Sequence, residues 1–118
     1  MTEVGNLFFA VGVNVDPAVE AAFNDWYDTD HLPAVVACPG FVSGRRFELR
    51  GRELPRYWAV YEVESRDTLH TPELAAISGF GCFEEAISEH RIVWLTSLTP
   101  LLLHGEGGGG GAGGDGGA

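Results

Sequence analysis

The stretch Asn24 to Phe41, NDWYDTDHLPAVVACPGF, holds an aromatic pair, three acids and one histidine ahead of a proline. His31 is the natural candidate for an acid or base, because imidazole alone among side chains ordinarily changes charge near neutral pH. Tyr27 and Asp28 precede it by four and three residues, the spacings that bring side chains together on a helix surface. A carboxylate such as Asp28 beside an imidazole orients the ring and raises its pKa, the arrangement a proton-transferring histidine needs. A second reading is architectural: a histidine in the last turn of a helix interacts with the helix dipole and caps the last carbonyls. Both readings are open on these residues alone.

Other chemistries find less support. Asp28 and His31 could supply two metal ligands from one helix face, but nothing in the spacing of His70, His90 or His104 completes a set, so no metal site is expected. Asp25, Asp28 and Asp30 read instead as an exposed acidic face. Arg45 and Arg46 are neighbours on a strand, so one of them points inward and needs an acid such as Glu48 or Glu62, or an anionic ligand. Trp26, Trp58, Tyr61 and Trp94 are core residues or pocket walls. There is no GxSxG, no dinucleotide fingerprint and no phosphate loop, and no cofactor is expected. Cys38 and Cys82 lack CxxC spacing and a basic neighbour, so they read as reduced thiols of a cytoplasmic protein.

The elements that must position these groups follow from periodicity. LFFAVGVNV, Leu7 to Val15, is apolar at nearly every position and predicts a strand covered on both faces. Asp16-Pro17 starts a helix, and Val19, Phe23, Trp26 and Tyr27 give it one apolar face. Pro33 predicts that this helix ends or kinks near His31. Phe41 to Arg50 and Arg56 to Val63 predict a hairpin, Thr71-Pro72-Glu73 starts a second, weaker helix interrupted by Gly79 to Gly81, and Arg91 to Leu103 predicts a last strand. The order β-α-β-β-α-β is that of an α+β, ferredoxin-like fold with a four-stranded antiparallel sheet.

In that fold both helices cover one sheet face, yet three of the four strands are apolar on both faces, so a second copy is expected to cover the other. Residues 1–104 form the expected domain, and 105–118, GEGGGGGAGGDGGA, the expected disordered tail. The net charge of −10, with seven basic residues against seventeen acids and no lysine, argues against nucleic acid or an anionic membrane as partner. No apolar run is long enough to span a bilayer.

FNDWYDTDHLP followed by CPGFVSGRRFEL, continued by the strand RYWAVYEV, resembles the EthD-like branch of the dimeric α+β barrel superfamily. The resemblance implies a homodimer with one cavity per subunit, taking a small apolar or aromatic molecule. It implies a cofactor-independent enzyme of isomerase, cyclase, dehydratase or monooxygenase type, acting on an aromatic or polyketide-like carbonyl compound or a lactone. Its histidine maps onto His31; beside that, the residues themselves offer Asp28 or Tyr27 to orient the ring as catalytic companions, Arg46 to steady an enolate or carboxylate, and Trp26, Trp58 and Tyr61 as substrate-contacting walls. A binding or carrier module and a purely structural dimerisation unit are the alternatives.

Overall fold

A computed structural model describes residues 6–53 and 55–105; the expected glycine-rich tail, apart from Gly105, lies outside the described residues. Strand β1 is Leu7–Val15, β2 Phe41–Glu48, β3 Tyr57–Val63 and β4 Ile87–Thr96. They form one antiparallel sheet in the order β2-β3-β1-β4, the ferredoxin-like topology expected from the order of elements. Alternation along the strands sends Leu7, Phe9, Val11, Val13 and Val15 to one face, together with Tyr57, Ala59, Tyr61 and Val63 opposite them. This face carries the helices, and the core lies between, built on Val13, Phe23, Tyr27, Val35, Tyr61 and Phe80.

The first helical run spans residues 17–36 and is not uniform. Asp16 accepts a hydrogen bond from the Ala18 N–H at 3.0 Å and Pro17 opens a 3₁₀ turn, Pro17–Val19. Helix α1 follows at Glu20–Trp26, then a π turn at Tyr27–His31, then helix α2 at Leu32–Val36. Of the two outcomes that Pro33 predicts near His31, the helix does not end there. In a regular α-helix the Pro33 ring would collide with the carbonyl of Thr29. The wider π turn, in which the Leu32 N–H donates to the Tyr27 carbonyl, lets the helix accommodate the proline and continue for another turn.

Two further boundaries move. The second helical region is a 3₁₀ turn at Arg66–His70, helix α3 at Pro72–Ile77, capped by Thr71, and another 3₁₀ turn at Gly81–Ala86. The last strand begins and ends earlier than the apolar run Arg91 to Leu103, because its bounds are set by pairing with β1, from Val15↔Ile87 to Leu7↔Thr96. Beyond Thr96 the partner strand has ended, and Leu98, Leu101, Leu102 and Leu103 are exposed.

The sheet face away from the helices presents Phe8 and Ala10 of β1, Trp58 and Val60 of β3, Phe47 of β2, and Val93 and Leu95 of β4. Phe47, Val93 and Leu95 are exposed there, so the expected apolar second face is present.

Candidate functional site

Between the sheet and the helices lies a cavity of about 260 Å³. Phe9, Val11 and Ile92 form its floor, Val35 of α2 and Leu74 of α3 its sides, and Phe41 and Phe80 close it further. Polar groups on its wall come from Tyr27, His31, Tyr61, Ser78 and His90. It is an apolar chamber with few polar groups, the usual composition of a small-molecule pocket, and at the small end of the usual size range.

His31 owes its position to the π turn. In a regular α-helix residues five apart point about 140° away from each other, whereas a π turn brings them toward one face. Trp26 consequently stacks on the His31 ring, with centroids 4.8 Å apart and planes at 17°. Tyr27 meets the same ring edge-on at 4.9 Å. The residue is only 8% exposed. Burial pushes its pKa below the usual 6.5, against a smaller upward pull from Asp30, so the ring is neutral at neutral pH. No hydrogen bond joins His31 to another side chain among the described residues. The capping alternative fails on two counts: the helix runs on through Val36, and the ring is held neutral, not as an imidazolium.

Asp28 is not the companion of His31. Its carboxylate accepts a hydrogen bond from Arg46 at 2.9 Å and is 58% exposed. Of the two arginines, Arg46 is the one on the helix side and Arg45 the one on the outer face, where it lies over Phe47. Arg46 finds neither Glu48 nor Glu62: Glu48 pairs with Arg56, and Glu62 accepts from Asn6. Its guanidinium sits 4.4 Å from the centre of the Tyr27 ring, in a separate polar pocket with Asn24, Asp28, Glu48 and Tyr57. Arg46 therefore does not reach the cavity wall, and its buried Nε has no partner among the described residues.

Of the residues singled out from sequence, His31, Tyr27 and Tyr61 come together on the cavity wall. Trp26 stands behind His31 as packing. Trp58 is on the opposite sheet face, where its indole N–H donates to the Pro55 carbonyl at 2.8 Å. The cause is strand alternation: Trp58 and Tyr61 are three residues apart, an odd spacing that puts them on opposite faces. His90, which the sequence offers only as a metal ligand, is a wall residue. Its signal was alternation with Ile92 and Trp94, which becomes readable once β4 is known to start at Ile87. The interruption at Gly79 is part of the site: with φ +96° it turns the chain so that Phe80 is buried against His90, their rings 5.3 Å apart. Among the described residues no group of three histidine, cysteine, aspartate or glutamate side chains is placed to hold a metal ion, and no helix is long and apolar enough to cross a membrane.

In fold the chain is like the solved EthD-family structure and related α+β structures with a four-stranded antiparallel sheet. Its residues 6–73 match the family described as a domain of unknown function, DUF4286, and the chain belongs to that family. Among solved structures it is similar to the heme-degrader MhuD from Mycobacterium tuberculosis, with 17% identity, TM-score 0.62 and coverage of 80% of this chain and 98% of that one. It is similar also to SnoaB, a cofactor-independent oxygenase from Streptomyces nogalater, at 20% identity, TM-score 0.58 and coverage of 83% and 98%. An EthD family protein from Bacillus halodurans aligns at 13% identity and TM-score 0.56, covering 74% and 96%. At these identities the likeness is one of fold. No curated protein matches the sequence.

Proposed function

We propose that this chain is a cofactor-independent enzyme that moves a proton on a small, apolar, carbonyl-bearing compound, with His31 as the base. The observation that carries the reading is a neutral imidazole, without a hydrogen-bonded side chain, on the wall of a mostly apolar cavity. A neutral ring in that setting can accept a proton at physiological pH. Tyr27 and Trp26 hold the ring by packing. The cavity suits compounds of one or two rings, and we take the substrate to be aromatic, polyketide-like or a lactone. The reaction is of isomerase, cyclase, dehydratase or monooxygenase type, and SnoaB, named as a cofactor-independent oxygenase, is a precedent on this fold.

The heme of MhuD does not fit this cavity. Among the cavity's lining residues no arginine or lysine is placed to receive the porphyrin's propionates. No step is derived through that group. The working form is a homodimer of residues 1–104 in which the outer faces of the two sheets cover each other; the exposed Phe47, Val93 and Leu95 supply the motive. The two cysteines are unpaired, in keeping with a reducing cytoplasm.

A direct test follows proton exchange at the carbon next to the carbonyl, by NMR in heavy water, over a set of one- and two-ring ketones and lactones. Catalysed exchange by the wild type and its loss in His31→Gln are expected. Exchange in the variant within a few-fold of the wild type would remove His31 from the chemistry. One observation favours a second reading, a carrier for an apolar metabolite: no carboxylate fixes the tautomer of His31, as an acid/base histidine ordinarily requires. Affinity insensitive to pH and to His31→Gln, without exchange, would select the carrier.

A further inference from the structure

Tyr27 and Tyr61 meet at the cavity with their hydroxyl oxygens 3.3 Å apart, Tyr27 from the π turn and Tyr61 from the centre of β3. Both residues are almost fully buried, at 3% and 2% exposure. Two phenols carry two hydroxyl hydrogens, and the bond between them uses one. Neither oxygen makes another hydrogen bond among the described residues, so one O–H donor is left over in an apolar chamber. A buried donor without an acceptor is costly and rare. The neighbouring walls, Phe9, Val35 and Phe41, offer a water few further partners, whereas a carbonyl oxygen needs only donors.

We propose that the Tyr27–Tyr61 hydroxyl pair is the subsite that receives the carbonyl oxygen of the substrate. This assignment rests on the cavity reading above and adds to it the group that meets the reacting oxygen. It replaces Arg46, which the sequence suggested for that task and which lies off the cavity wall. When His31 takes a proton from the carbon beside the carbonyl, the C–H bond breaks and an N–H bond forms on the imidazole. The C–H electron pair forms the enolate, whose charge collects on the oxygen at the tyrosine pair. Burial pushes both phenols' pKa values up, so they remain protonated donors at neutral pH. The guanidinium of Arg46, over the Tyr27 ring, adds a positive field that favours the charge developing there.

Two probes of nearly the same shape separate the ideas: acetophenone and ethylbenzene, titrated into the full chain by NMR. The wild type is expected to bind the ketone about tenfold more tightly than the hydrocarbon. The double variant Tyr27→Phe/Tyr61→Phe is expected to hold ethylbenzene unchanged while its preference falls to within about twofold. A double variant that keeps the preference overturns the assignment. Equal affinity of the wild type for both probes overturns it as well but leaves the cavity standing, and binding of neither removes the cavity and the pair together. Should the double variant not fold, acetophenone labelled with ¹³C at the carbonyl decides the matter on the wild type. A downfield shift from its value in alkane reports the donated hydrogen bond, and an alkane-like shift rejects it.

Discussion

Gly44 is where the strand hairpin, the first helical run and the cavity wall come closest. A Cβ at this position would lie 2.6 Å from Val36 Cγ2 at the end of α2, and 3.0 Å from Cδ1 of Tyr61. Gly44→Ala therefore forces the helix end and the tyrosine ring apart. Overpacking of this kind costs about 1–3 kcal/mol. Alanine recovers roughly 0.5–1 kcal/mol of backbone entropy in a strand, which leaves a net loss of about 0.5–2 kcal/mol. For a domain of this size the melting temperature falls by roughly 2–16 °C. Thermal unfolding followed by circular dichroism measures it, with Ser43→Ala, on the exposed side of the same strand, as the control expected to stay within about 0.5 kcal/mol. A Gly44→Ala variant as stable as that control would refute the close approach of α2 to β2, and with it the placement of Tyr61 beneath Tyr27.

His31 has a depressed pKa in the folded state, so stability should be fully present above its ordinary value of 6.5 and be lost as pH falls from there through the folded value. Urea unfolding between about pH 8 and pH 5 should show a steeper loss in the wild type than in His31→Gln, and parallel curves would contradict a buried neutral ring. Asp28→Asn should cost roughly 1 kcal/mol in chemical denaturation, since its partner Arg46 is largely buried while Asp28 itself is in solvent. Catalysed proton exchange should survive that change; a loss equal to that of His31→Gln would return Asp28 to the site. Leu95→Asp, on the outer sheet face, should convert a dimer to a monomer in sedimentation experiments, and a wild type that sediments as a monomer would overturn the pairing.

The order of elements was legible in the residues because its signals are local. Alternation in LFFAVGVNV, the Asp16-Pro17 and Thr71-Pro72 starts and the hairpin all depend on residues within a few positions of each other. His31 and Tyr27 were also within reach, since four-residue spacing makes neighbours on any helix. Pro33 alone does not decide whether the helix ends, because its local rule assumes a regular α-helix; a single π turn upstream satisfies the steric demand and changes which side chains share a face.

Everything about the site that crosses between elements needed the tertiary structure. Whether Asp28 serves His31 or Arg46 depends on where β2 lies beneath the helix, eighteen residues away in sequence. The meeting of Tyr27 with Tyr61 depends on a contact across thirty-four residues. His90 reached the wall only because β1 sets the register of β4. The sequence by itself determined the strands, the helix starts and an imidazole with aromatic neighbours, because propensity and periodicity act over a few residues. Only the tertiary structure decided that burial keeps this imidazole neutral and which side chains share its cavity, because burial and long-range pairing are properties of the packed chain.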